Sequence, residues 1–118
     1  MTESQLDKKV CTACTGDEPP LKGDELIRYT QQIDDGWDVV DEHHIVRKYE
    51  FSDYKETIDF VNAVAEESEE QNHHPIMLVE WGKATITIYT HKIDGLTEND
   101  FILAARCDAK FKEMAKKE

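Results

Sequence analysis

Residues 53–90 read DYKETIDFVNAVAEESEEQNHHPIMLVEWGKATITIYT. Ser52 or Asp53 can cap a helix here, and Glu56, three residues after Asp53, gives the pattern of a capping box. Apolar residues then recur at helical spacing, with Tyr54, Ile58, Val61 and Ala65 widened by Phe60 and Val64. The pattern predicts a helix to about Asn72, and Pro75 forces the chain out of it. Segments 76–81 and 84–90 are rich in β-branched residues and flank Gly82-Lys83, so a β-hairpin should follow at once. A helix running directly into a hairpin sets the fold class as α+β.

Working outward, Ile45, Arg47, Tyr49 and Phe51 alternate with polar residues, and with 37–40 across Asp41-Glu42-His43 they predict a first hairpin. Upstream, Leu26, Tyr29 and Ile33 have helical spacing, with Gly36 just beyond. Downstream, Thr97 opens a last helix with Asp100 at its third position and a stripe of Ala104, Cys107, Phe111 and Met114. The expected order is α-β-β-α-β-β-α in one domain, residues 23–118. Residues 1–22, with Gly16, Pro19 and Pro20 and no periodicity, read as a loosely structured lead-in outside the core.

A chain of 118 residues suits one core. The 34% of charged residues implies much solvated surface. With 26 acidic against 14 basic residues the net charge is −12, and no basic patch offsets it, so nucleic acid is not an expected partner. No stretch approaches the roughly 18 apolar residues that span a bilayer, and MTESQLDKKV has no signal-peptide apolar region, so a cytoplasmic protein without a membrane partner is expected. Cys11, Cys14 and Cys107 form an odd set, which favours reduced thiols. The Cys11-Thr12-Ala13-Cys14 spacing is that of a zinc half-site or redox motif, but no second pair follows.

Five side chains could carry chemistry. At about 100° per residue Glu69 lies in line with Ile58 and leans toward the core, one helical turn before His73. A Glu69–His73 pair would fix the imidazole tautomer and suit it to acid work near neutral pH. The plainer reading is a surface glutamate at a fraying helix end. His74 precedes Pro75 and is pushed into extended geometry, so His73 and His74 should face apart and take separate roles. Glu69, His73, His91 and Asp100 are all metal-competent types, but their spacings match no metal motif, and no metal is expected. His91 ends a strand at the loop Lys92-Ile93-Asp94-Gly95. Strand parity puts it with Thr85, Thr87 and Tyr89, so a bend near Thr90 is needed to bring it toward Glu69. Asp100 is weighted toward helix capping, Cys107 toward a buried apolar role, His43 and His44 toward solvated turn and strand positions, and Trp37 and Trp81 toward packing.

As one string, Glu69-x3-His73-His74-Pro75-x5-Trp81-x9-His91-x8-Asp100 resembles the signature of the pterin-4a-carbinolamine dehydratase family, and the likeness runs from about Leu21 onward, leaving out Cys11 and Cys14. The resemblance implies a four-stranded antiparallel sheet with helices packed on one face, assembled as a homodimer or homotetramer. It implies dehydration of 4a-hydroxytetrahydropterin to quinonoid dihydropterin after an aromatic amino acid hydroxylase has used the tetrahydropterin, with no cofactor. His73, His74 and His91 would surround the pterin: His73 and His91 as acids toward the hydroxyl, His74 as base or ring-positioning group. Glu69 would orient a histidine or accept from the pterin edge, and Asp100 would support His91 besides capping. Asn72 stands where vertebrate-type members have Asp, and Asn99 where they have Arg, so neither takes a charged role. The alternative the family offers is a non-catalytic binding protein that stabilises a transcription-factor dimer.

Overall fold

The computed structural model describes residues 6–11, 16 and 18–116. Helix α1 (Gly23–Thr30), strands β1 (Asp38–Val40) and β2 (His44–Glu50), helix α2 (Tyr54–Gln71), strands β3 (Ile76–Glu80) and β4 (Lys83–Ile88) and helix α3 (Glu98–Lys116) follow the predicted order. The four strands form one antiparallel sheet in the order β1-β2-β4-β3. The two hairpins therefore join through β2 and β4, with Ile45 opposite Ile88 and Tyr49 opposite Ala84.

Alternation decides which face meets the helices. Ile45, Tyr49, Ala84, Ile86 and Ile88 are all buried, against Phe60 and Val64 of α2 and Phe101, Leu103 and Ala104 of α3 in one core. Tyr49 lies 4.5 Å from the Phe60 ring and 5.0 Å from Phe111. Each large side chain removed from water in this layer contributes roughly 1.5–3 kcal/mol. On the other parity of edge strand β3, Ile76 and Leu78 stay about half exposed.

The structure corrects the expected face of α2. Its buried residues are Thr57, Phe60, Val64, Glu67, Ser68 and Gln71, whereas Tyr54 is half exposed and Ile58, Val61 and Ala65 are only partly covered. The bulky Phe60 docks on Tyr49 and Phe51, and steps of three and four residues from it select polar positions that find partners. Glu67, not Glu69, is the carboxylate turned inward, and Arg106 Nη1 donates to it at 2.5 Å. Glu69 is exposed.

Two further differences are local. The second turn is Trp81-Gly82 rather than Gly82-Lys83, with Glu80 opposite Lys83. Phe51 N–H donates to Gly82 O (2.8 Å), and a Cβ on Gly82 would lie 3.0 Å from Phe51 O, which fixes the glycine at that corner. Trp81 projects from this corner largely exposed, whereas Trp37 is buried. The lead-in also reaches the core at Leu6, within a 3-10 turn (Leu6–Lys8) packed on α3, and at Leu21. Isolated apolar residues make no periodic signal, so their burial could not be read from pattern. Cys14 lies outside the described residues.

Candidate active site

Helix α2 is capped at its start by Asp53, whose Oδ1 accepts from Glu56 N–H (2.8 Å), while Glu56 Oε1 accepts from Ser52 N–H (3.0 Å). At its end Asn72 is in the left-handed region (φ 51°). Asn72 N–H donates to Glu69 O (3.3 Å) and His73 N–H to Ser68 O (3.1 Å), the paired bonds of a Schellman ending. Asparagine and aspartate tolerate this conformation better than other side chains. That suits a short polar side chain at this position, and the turn sharply redirects the chain as the two histidines begin.

His73 and His74 then diverge as expected, each toward its own carboxylate. His73 Nε2 donates to Asp100 Oδ1 at 2.6 Å; the ring is 11% exposed and the carboxylate fully buried. His74 Nε2 bonds Glu69, with both side chains more than half exposed. The expected Glu69–His73 pair is thus replaced by two others. The Schellman turn carries His73 away from α2, and the start of α3 supplies its partner.

Asp100 combines two tasks. Its Oδ2 accepts from Thr97 N–H (2.8 Å), the reciprocal arm of the capping box, and from Thr90 Oγ1 (2.9 Å), which also lies 2.9 Å from Thr97 Oγ1. Its Oδ1 is left for the histidine. The carboxylate sits at the N-terminal turn of α3, where the helix dipole favours negative charge. A carboxylate facing Nε2 favours the tautomer that carries its proton there, in His73 beside Asp100 and in His74 beside Glu69.

His91 follows Thr90 directly, yet its ring belongs to the other parity. Thr90 is buried with the Ile86 and Ile88 side of β4, while the exposed His91 ring stacks on Tyr89 with centroids 4.3 Å apart. Asp100 therefore supports His73 and the hydroxyl beside His91, not the His91 ring. His43 and His44 also depart from expectation. They are partly buried, their Nδ1 atoms lie 3.0 Å apart, His43 Nε2 reaches Asp94 Oδ1 at 2.7 Å, and the His43 ring is 4.6 Å from Tyr89. Among the described residues no three His, Cys, Asp or Glu side chains converge as metal ligands.

This geometry coincides with a match along the chain. The profile of the family described as Pterin 4 alpha carbinolamine dehydratase matches residues 19–110. The chain belongs to the pterin-4-alpha-carbinolamine dehydratase family. A relative from Rubrobacter xylanophilus, named for this dehydratase, is 55% identical over 89% of this chain and 97% of its own length. One from Alkaliphilus metalliredigens is 43% identical over 89% and 95%. The solved structure of a transcriptional coactivator/pterin dehydratase from Brucella melitensis superimposes with a TM-score of 0.72 at 28% identity, covering 77% of this chain and 97% of that one. A pterin dehydratase-like protein described as a RuBisCO assembly factor in the alpha-carboxysome matches with a TM-score of 0.56 at 26% identity, covering 64% and 88%.

The dehydratase-family fold adds residues that motif reading missed. Thr90 joins the capping residue Thr97 in the shell of Asp100, its hydroxyl donating to Oδ2 from the buried side of β4's end. Behind the pair, Cys11 N–H donates to Gln71 Oε1 (2.8 Å) and Cys11 Sγ lies 3.5 Å from Asn99 O. The lead-in thereby braces the end of α2 against the start of α3. Arg106 adds to this brace by donating to Lys9 O (2.9 and 2.5 Å). Nothing in the sequence pattern signals these contacts, because each joins residues far apart in the chain.

Proposed function

We propose that the chain dehydrates 4a-hydroxytetrahydropterin to quinonoid dihydropterin by histidine acid/base chemistry, in the recycling of tetrahydropterin. The observation that carries this reading is the His73–Asp100 pair, a nearly covered imidazole fixed through Nε2 by a fully buried carboxylate. The reaction must protonate the 4a-hydroxyl so that it leaves as water and must take the N5 proton as the C4a=N5 double bond forms. No electrons are exchanged with a cofactor. His73, presenting Nδ1, and His91, with its ring nitrogens free of the stack, serve as acids toward the hydroxyl. His74 serves as base or positioning group, with Glu69 orienting it and Asp100 orienting His73. Positioned acids and bases contribute about 10² to 10⁴-fold each.

The substrate would come from an aromatic amino acid hydroxylase, and the protein would act in the cytoplasm. No helix among the described residues is long and apolar enough to cross a membrane. We propose further that the protein is a homodimer or homotetramer. Ile76 and Leu78 on edge strand β3, with Trp81 beyond it, leave apolar surface and unpaired strand edge for a second copy. The same surface favours a second reading, a binding protein that stabilises the dimer of a transcription factor.

The test follows decay of enzymatically generated 4a-hydroxytetrahydropterin with wild-type protein and with His73→Ala. Acceleration by the wild type and a loss of about 10²-fold or more in the variant are expected. No acceleration by the wild type would leave the binding reading in its place.

A further inference from the structure

The contacts of Tyr89 are not used by the dehydration chemistry above, and they close a ring around His91. Tyr89 stacks on His91 at 4.3 Å (interplanar angle 31°) and lies 4.6 Å from His43 on β2's leading turn. His43 Nε2 donates to Asp94 Oδ1 at 2.7 Å, and Asp94 stands at the far end of the loop that His91 opens. That loop is cinched by Thr90 N–H to Gly95 O (2.9 Å) and Asp94 N–H to Thr90 O (2.9 Å). Ring, loop, carboxylate, imidazole and phenol thus return to the starting residue. His44 backs the arrangement through its Nδ1, 3.0 Å from that of His43.

A stack of this kind restrains the plane of an imidazole without occupying either nitrogen. That is what a proton-transferring ring on an exposed loop lacks. His73 has a buried carboxylate to hold it, whereas among the described residues no carboxylate pairs with His91. From this contrast we infer that Tyr89, held from behind by the His43–Asp94 pair, is a positioning residue that sets the orientation of the His91 ring toward the substrate. The inference rests on the dehydratase reading for its catalytic meaning, while the ring geometry stands apart from it. The His43–Asp94 pair is largely exposed at Asp94, so it adds little to folding stability, and its loss should leave the fold intact.

Misalignment of a proton donor lowers turnover rather than binding. Tyr89→Leu should therefore reduce kcat about tenfold with KM within about twofold, given the usual strength of an aromatic pair. Tyr89→Phe, which keeps the stack, should restore most of kcat, and His43→Ala should give a smaller loss of about threefold. Independently of activity, the ring protons of His91 in the full chain should show a ring-current shift by NMR that disappears in Tyr89→Leu and persists in Tyr89→Phe. If the wild type does not dehydrate the pterin, the dehydratase reading fails and the NMR shift alone decides the ring geometry. An unchanged shift in Tyr89→Leu overturns the clamp. Unchanged kcat in Tyr89→Leu, or in His91→Ala, overturns its catalytic role even where the dehydratase activity itself is present.

Discussion

Helix α3 carries two buried aspartates eight residues apart, and they face opposite fates. Asp100, at its first turn, divides its oxygens between the backbone and hydroxyls of its own cap and the imidazole of His73. Asp108, about 12 Å along the helix, is surrounded by fixed donors: Trp37 Nε1 (3.1 and 3.0 Å), Arg47 Nη1 (2.8 Å) and Tyr49 OH (2.5 Å). Burial pushes the Asp108 carboxyl up from its ordinary range, with Tyr49, Trp37 and Arg47 opposing. The Arg47 guanidinium also lies over the Tyr49 ring (4.6 Å) and bonds Asp34 (3.1 Å). Burial of a carboxylate alone therefore does not mark a site. At Asp108 the partners are an indole, a guanidinium and a phenol; at Asp100 one partner is an imidazole, which has a second ring nitrogen that this carboxylate does not engage.

The largest effect that sharpens this contrast is on stability. Asp108→Ala leaves three donors, one of them charged, without their shared acceptor, and should cost about 3 kcal/mol in urea denaturation while turnover per folded molecule stays unchanged. A loss of turnover with retained stability would reverse the two roles. A smaller effect, about 2 kcal/mol by pH 10, should come from the Asp108 end through Cys107. Burial raises both its thiol and the Tyr49 phenol above their ordinary values. The unfolded chain releases these protons near pH 8.5 and 10, respectively, while the folded chain retains them, so stability should fall as pH rises through that range. Cys107→Ala should flatten the first part of that fall; equal slopes in both proteins would contradict it. The smallest effect belongs to the Asp100 end. Asn72→Ala forces a Cβ-bearing residue without a local hydrogen-bonding side chain into the left-handed region, at about 1 kcal/mol, and Asn72→Gly should recover it.

Local signals carried much of this architecture. Capping residues, the Pro75 exit and β-branched alternation gave the element order, and the alternation of Ile86 and Ile88 gave the buried face of β4. Failures arose where a choice depended on a distant partner. The face of α2 turned on Phe60 meeting Tyr49 and Phe51, which no spacing within the helix could reveal. Glu69 and His73 are adjacent by helical geometry only while the helix lasts, and the left-handed Asn72 ends it between them. Asp100 was legible as a cap because that bond is local; its bond to His73, twenty-seven residues away, was not. Tyr89 and His43 gave no motif at all, since their meeting depends on the β1-β2-β4 order of the sheet.

In the proposed mechanism the Asp100 carboxylate holds His73 in the tautomer that works. Stopped-flow decay of 4a-hydroxytetrahydropterin with Asp100→Asn tests it most directly, because the amide keeps the size of the side chain but not the charge or the acceptor pair that fixes Nε2–H. We predict a fall in kcat of about 10² to 10⁴-fold in a protein with a native near-UV spectrum. A natively folded Asp100→Asn protein that turns over at the wild-type rate would contradict the claim.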